Sequence, residues 1–479
     1  MMKKTILFCF LVLSLITCNT NKKIVTVNQA FENGQFTKAA SFIREILEDS
    51  RLDTTKKAEL EYKLDLMNRV RYDFKKDEKQ VKTELMKYYP RLTDSMIHSW
   101  EDNRQLEFKL IDNEKKYFKN AVANFFRINK LAKALKDSIK GPSVDGVSEF
   151  KMRKIPEIFS SGIVQDKKVF DQQTIKLDYT VTVDPNTVPE GKIIRCWLPY
   201  PRISDRLSSV EFISSWPENA VIAPETQLQR TVYLEQKAVK DSSCIFKLSI
   251  IIHTAAQWFD IKPEDIREYD KNSELYKEYT IERLPQITFS KKVTDLAKNI
   301  VGAEKNPYLQ VKKLYYWMND NIPWASALEY SIMPCIPEYV IDNKRGDCGM
   351  QSLLLISMAR SLGIPAKWQS GWYLLPEEIN LHDWTEIYYE GIGWVPVDPS
   401  FKLTNHENIK VKEYYLQGID SYRFIVNDDF GRDLFPKKKF PRSEPYDFQR
   451  GELEWEAGNI YFDKWDYHMD VNYLQNQNK

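Results

Sequence analysis

The stretch from Lys344 to Ser400 constrains this chain more than any other, because it reads as a capped helix followed by a β-hairpin. Asp347 is a good helix N-cap, and Leu354, Leu355, Met358 and Leu362 take up helical spacing after it. Further on, Leu381-His382-Asp383-Trp384-Thr385-Glu386-Ile387-Tyr388-Tyr389 reads as a strand. Glu390-Gly391-Ile392-Gly393 reads as a turn, and Trp394 to Ser400 as the returning strand.

Three residues in this stretch have the types that nucleophilic acyl chemistry needs. Cys348 falls in the first helical turn, where unpaired backbone N–H groups and the positive end of the dipole favour thiolate over thiol. Gly346 and Gly349 leave open space around the sulfur. A cysteine buried only for packing gains nothing from such a polar, glycine-flanked position. A thiolate nucleophile needs an imidazole beside it and a carboxylate or amide to fix the imidazole tautomer. The chain has five histidines, and His382 is the one at the mouth of the hairpin; Asp398 ends the neighbouring strand.

Sidedness sets a condition on the turn. Side chains alternate along a strand, so His382, Trp384, Glu386 and Tyr388 share a face. A two-residue turn at Gly391-Ile392 would set Asp398 opposite Thr385, on the wrong face for His382. The sequence therefore predicts a three-residue turn or a β-bulge between Tyr389 and Asp398, with Gly391 and Gly393 supplying unusual backbone angles. Asp398 then faces Trp384 or Glu386, diagonal to His382. Were Asp398 to point away, Glu386 would be the first candidate for the carboxylate role.

Four blocks occur in order here: Gly346-Asp347-Cys348, Arg360-Ser361-Leu362-Gly363-Ile364-Pro365-Ala366, His382-Asp383-Trp384-Thr385-Glu386, and Gly393-Trp394-Val395-Pro396-Val397-Asp398-Pro399. Together they resemble the transglutaminase-like superfamily over roughly residues 285 to 402. The resemblance implies a papain-type core of helix against sheet with Cys348, His382 and Asp398 as its triad. It also implies an oxyanion donor pair, the backbone N–H of Cys348 and an upstream aromatic side chain. Trp324, in Asn321-Ile322-Pro323-Trp324, matches the aromatic by position; a packed aromatic is its alternative reading.

Elsewhere the chain narrows the choices. Its 479 residues exceed one core, which points to several domains. With 69 Lys and Arg against 68 Asp and Glu, no global field draws it to nucleic acid. His98, His253, His406 and His468 are scattered without paired ligand spacing, so no zinc site is indicated, and no Gly-rich phosphate loop precedes a helix. No cofactor is expected. Asn427 to Asp433 fits no standard calcium loop, and Arg345-Gly346-Asp347 is explained by the loop that feeds Cys348.

At the N-terminus Lys3 and Lys4 precede an apolar run from Ile6 to Ile16, too short to span a bilayer and suited to a signal peptide. Leu15-Ile16-Thr17-Cys18 resembles a bacterial lipobox, although Thr17 departs from its usual small residue; a plain secretory signal is the alternative. The expectation is a lipoprotein of the bacterial cell envelope, held to the membrane through acylated Cys18. In an oxidising compartment Cys196 and Cys244, both in strand-like segments, could pair.

The expected fold class is α+β, with a papain- or transglutaminase-like core preceded by a β-sandwich domain and an N-terminal helical domain. The boundaries are a signal peptide at 1–18, a helical domain at 24–140, a linker at 141–170 and a β-sandwich at 171–260. A catalytic domain follows at 261–435, then an aromatic C-terminal extension at 436–479 that packs on the core. Asn28 to Ala40 looks like half of a tetratricopeptide-type hairpin, but no second copy follows. Ile175, Leu177, Tyr179, Val181 and Val183 alternate with polar residues as in a half-buried strand. Function is expected to be thioester-forming acyl transfer, with hydrolysis of peptide, protein or cell-wall peptide favoured. Glutamine-directed transamidation or deamidation is the second reading, and a non-catalytic peptide-binding module the third.

Overall fold

A computed structural model describes residues 23–474 apart from 51, 143, 166 and 167. Cys18 and the apolar run before it lie outside the described residues. Among the described residues no helix is long and apolar enough to cross a membrane. The chain divides into two units, Met1–Gly141 and Pro142–Lys479.

The first unit begins with helices at 23–32 and Phe36–Leu47, joined through Gly34 at a φ of +71°. A Cβ on Gly34 would land on the Leu110 carbonyl, so glycine is needed there for close approach as well as for its backbone angle. Helices Thr54–Asp73, Glu78–Met86, Asp94–Asp102, Ala121–Ile128 and Lys130–Lys140 follow. The expected helical segment needs one correction, because Phe108–Ile111 and Glu114–Tyr117 pair as an antiparallel hairpin. Asp112 and Asn113 form its two-residue turn at φ values of +52° and +66°, angles that Asp and Asn tolerate. The Asp112 carboxylate accepts from the Thr37 N–H and hydroxyl at 2.8 Å, tying the hairpin to the first helices.

Among its described residues the second unit holds three antiparallel sheets. In the first, Cys244–Trp258 lies between Val169–Val183 and Leu207–Trp216, Trp465–Leu474 adds beyond Val169–Val183, and Gly418–Ile419 also pairs with Cys244–Trp258. In the second, Ile193–Pro199 lies between Thr231–Lys237 and Glu452–Trp455, with Val221–Ile222 and Gly458–Ile460 outermost. The third runs Gly393–Val397, Ile379–Tyr389, Ala366–Leu374, Arg423–Asn427. Ile175, Leu177, Tyr179, Val181 and Val183 are all fully buried, as their alternation predicts.

Three expectations from sequence are corrected. The 141–170 segment is not a connector: Gly146–Gln165 is a helix, and its Phe150, Ile155, Ile158 and Phe159 lie in the sandwich core. The 436–479 segment does not merely pack on the core, since Glu452–Trp455 and Trp465–Leu474 are strands of the two sandwich sheets. The sandwich therefore draws on more chain than residues 171–260. Cys196 and Cys244 are separate buried thiols on different sheets.

The third sheet joins both cores of this unit. Trp372, Leu374 and Phe424 bury with the sandwich strands, whereas Trp368, Ile387, Val395 and Val397 bury with Leu353, Leu354, Ile356 and Met358 of helix Cys348–Ser361. That placement sets the start of the helix beside the hairpin.

Glu452 anchors the segment that returns from the third sheet to the sandwich. It is fully buried, accepts from the backbone N–H of Ser443 at 2.9 Å and Glu444 at 3.2 Å, and pairs with Lys438 at 3.1 Å and with Arg442. Burial alone would raise its pKa; Arg442 and Lys438 outweigh that and bring it down to about 2. Because the folded value lies below the unfolded one, this stabilisation is present above the ordinary carboxylate range and is lost as pH falls through the folded value. Glu452→Gln should thus cost on the order of 3 kcal/mol at neutral pH in urea unfolding, with the gap from the native protein shrinking on acidification. A gap of equal size at pH 7 and pH 3 would contradict this account.

Candidate active site

The loop before helix Cys348–Ser361 is built to expose the helix start. Lys344 ends helix Ile336–Asn343 in the left-handed region at a φ of +50°, and the chain then turns back. Gly346 bridges to the Trp324 segment, its N–H donating to the Pro323 carbonyl at 3.3 Å and its carbonyl accepting from Ala325 at 3.2 Å. Asp347 caps the helix, accepting from the Met350 N–H at 3.0 Å and the Tyr330 hydroxyl at 2.5 Å. Burial raises its pKa to about 6 against those hydrogen bonds. A Cβ on Gly349 would meet the Tyr330 hydroxyl and come within 2.6 Å of Asp383 Oδ2, so glycine allows the helix start to sit against both groups.

The hairpin has the turn that sidedness demands. Tyr389 pairs with Gly393 across the three residues Glu390, Gly391 and Ile392, with Gly391 at a φ of +91° and Gly393 at +102°. The ladder runs back to Thr385 opposite Val397, and one step further places Asp398 opposite Trp384. His382 Nε2 lies 2.7 Å from Asp398 Oδ2. Glu386 lies further along the strand and pairs with Lys367 at 2.9 Å.

Asp398 is buried and richly partnered. Its Oδ2 also accepts from Arg423 Nη1 at 2.7 Å, and its Oδ1 accepts from the N–H groups of Ser400 and Phe401, each at 3.0 Å. Burial pushes its pKa up, but His382 and Arg423 win and hold it well below the usual carboxylate range. Arg423 is itself fully buried, 3.0 Å from Asp420 and stacked 3.6 Å from the Phe401 ring. Burial lowers the His382 pKa, with Asp398 pulling the other way. The imidazole is packed by Phe401 at 4.7 Å, Tyr373 at 5.5 Å and Trp384 at 6.0 Å between ring centres.

The sulfur is placed differently from the sequence expectation. Cys348 Sγ makes its hydrogen bond to Asp383 Oδ2, at 3.4 Å, and none to His382. Burial first, then the Asp383 and Asp347 carboxylates, push the Cys348 thiol well up, so the thiolate expected from the helix start alone is not favoured. Tyr373 lies alongside: its ring packs edge-on against His382, and its hydroxyl feels the charge of Cys348. Gln449 closes the site, its Nε2 donating to the His382 carbonyl and to Asp383 Oδ1, both at 2.7 Å. Trp324 stands on the strand-like bridge beside Gly346 and is 41% exposed. Among the described residues no group of three or more His, Cys, Asp or Glu side chains could hold a metal ion.

Sequence reasoning missed Asp383, Arg423 and Gln449. Asp383 stands between His382 and Trp384 in the quoted block, with nothing in the sequence to set it apart. Arg423 left a signal, an arginine opening the otherwise apolar run Arg423-Phe424-Ile425-Val426. Gln449 left none. Arg423→Met should cost about 3–5 kcal/mol in urea unfolding, because Asp398 and Asp420 would lose their shared buried cation; a loss below about 1 kcal/mol, the scale of a surface pair, would contradict this reading.

Comparison with known proteins bears on this same region. Residues 294–399 match the family model of the Transglutaminase-like superfamily. YebA, an uncharacterized protein of Bacillus subtilis (strain 168), is 27% identical over 158 residues, covering 28% of this chain and 21% of that protein. The chain thus spans a small part of that relative's length. Of solved structures, a candidate cysteine protease from Cytophaga hutchinsonii is 14% identical at a TM-score of 0.44, covering 65% of this chain and 94% of that one. The periplasmic domain of TgpA from Pseudomonas aeruginosa is 12% identical at a TM-score of 0.25, covering 54% and 92%. Overlaps with TM-scores this low carry no weight for function. The family match holds Cys348, His382 and Asp398 within its bounds, and the chain therefore carries a transglutaminase-like domain at residues 294–399.

Proposed function

We propose that this protein is a cysteine hydrolase that cleaves amide bonds in peptide, protein or cell-wall peptide through a thioester on Cys348. The observation that carries the reading is the 2.7 Å contact between His382 and the ionised, buried Asp398, set in a hairpin beside the helix that begins at Cys348. With Asp398 ionised, His382 Nε2 carries the ring proton and Nδ1 keeps the lone pair, the tautomer a general base requires.

The chemistry follows from that assignment. His382 Nδ1 takes the proton from the Cys348 thiol as the sulfur attacks the amide carbon, and the carbonyl π pair moves to oxygen. The backbone N–H of Cys348 and the Trp324 indole N–H are the proposed oxyanion donors. Collapse of the intermediate breaks the C–N bond, and the leaving amine takes the proton from the imidazolium. Water, activated by the same imidazole, then hydrolyses the thioester and restores the thiol. An amine in place of water would give transamidation; products of glutamine peptides with and without added amine, read by mass spectrometry, separate the two outcomes.

Cys348→Ala and His382→Ala should each lower turnover by about 10⁴-fold or more. Asp398→Asn should cost less, since orientation rather than the nucleophile is lost. Unchanged turnover in Cys348→Ala would end the proposal. We further propose anchoring to a bacterial membrane through acylated Cys18. Cell fractionation should find the native protein with membranes and Cys18→Ala released; a Cys18→Ala protein still in the membrane fraction would rule the anchor out.

A further inference from the structure

The contact between Cys348 and Asp383 has no counterpart in the triad chemistry. We propose that Asp383 is the resting partner of the nucleophile: the Cys348 thiol donates a hydrogen bond to Asp383 Oδ2 across the 3.4 Å contact, and the sulfur waits there as a thiol rather than as an ion pair with His382. The inference rests on the reading of Cys348 as nucleophile and adds a second carboxylate to the site, one that acts on the sulfur while Asp398 acts on the imidazole.

The surroundings show that Asp383 is held for this contact. Its other oxygen, Oδ1, accepts from Gln449 Nε2 at 2.7 Å, and the same amide group bonds the His382 carbonyl, so neither half of the carboxylate is free to turn away. Gln449 is fixed in turn, its N–H donating to Glu444 at 2.8 Å and its carbonyl accepting from the Trp372 indole at 2.9 Å. The absence of a side chain on Gly349 is what lets Oδ2 reach the helix start. Asp383 is only 1% exposed, so its carboxylate is shielded from water, while Cys348 is half-buried.

The charged and titratable groups facing the pair come from every element packed on it. Asp347 and Tyr330 lie at the helix start, and His382, Asp398 and Tyr373 on the third sheet. Glu329, Glu444, Asp447 and Arg450 lie on the segments that cover it. Burial pushes Asp383 well up, and Asp447 and Asp347 add to that. Cys348 is pushed the same way, by burial first and then by the Asp383 and Asp347 charges, so the thiolate forms late in the titration. Attack on an acyl carbon therefore requires the thiol to exchange Asp383 for His382 before its proton leaves.

The test is the pH dependence of iodoacetamide alkylation, read on the Cys348 peptide by mass spectrometry in the full chain so that other cysteines do not contribute. The native protein should show thiolate reactivity rising only in the alkaline range. Asp383→Asn keeps the acceptor for Gln449 but removes the carboxylate, and it should alkylate about tenfold or more faster at neutral pH, as a drop of one unit or more in the thiol pKa requires. An Asp383→Asn profile that superimposes on the native one, or lies to its alkaline side, would overturn the proposal. If Asp383→Asn does not fold, the native profile alone decides: a plateau of reactivity from mildly acidic to neutral pH, the signature of a thiolate–imidazolium pair, would also overturn it. Alkylation needs no substrate, so this result stands apart from the turnover of Cys348→Ala that tests the function.

Discussion

One buried carboxylate organises the site. Asp398 is ionised in a place with almost no water, and a charge so placed is stable only if every lone pair is used. Here two backbone N–H groups, an imidazole and an arginine use them. Each of those partners imposes a condition on the fold. The N–H groups require the chain to turn sharply after Asp398; Arg423 requires the outer strand of the third sheet; His382 requires the three-residue hairpin turn. Lys151 secures the same turn from behind, its ammonium donating to the carbonyl of Leu403 at 3.0 Å and to that of Phe401. Burial pushes that ammonium down to about 8, the cost of placing a second charge there. In this way helix Gly146–Gln165, remote in sequence from the hairpin, becomes part of its support.

The sulfur side of the site follows a different logic. A helix start favours negative charge, but burial of the thiol, with the charges of Asp383 and Asp347 adding to it, outweighs the pull of the dipole. The result is two half-sites, an imidazole held by Asp398 and a thiol held by Asp383, joined through the amide of Gln449.

What the sequence could show was set by the range of the interactions. The hairpin was legible because sidedness is a local rule: with His382 and Asp398 required on one face, only an odd-length turn or a bulge works, and Gly391 and Gly393 stand where the angles are needed. The helix start was legible for the same reason, through Asp347 and the glycines around Cys348. Strand pairings between distant segments were not. Nothing in Trp465–Leu474 states that it pairs with Val169–Val183, because its alternation fits any open sheet edge. The Gly146–Gln165 helix was hidden by Gly146, Pro156 and Gly162, which read as breakers; Gly162 is in fact the flat spot against which Phe170 packs. Asp383 was misjudged because strand alternation turns it away from His382, and the sequence alone does not say which face meets the sulfur.

The central claim is that Cys348 forms an acyl bond with His382 as its base, and covalent trapping tests it most directly. The full chain is exposed to a peptidyl acyloxymethyl ketone, which alkylates a cysteine thiolate only where an enzyme site activates it, and the adduct is located by mass spectrometry of the intact and digested protein. The account predicts one adduct, on Cys348, and its loss in a folded His382→Ala variant. An adduct on another cysteine instead, or equal labelling of Cys348 with and without His382, would contradict it.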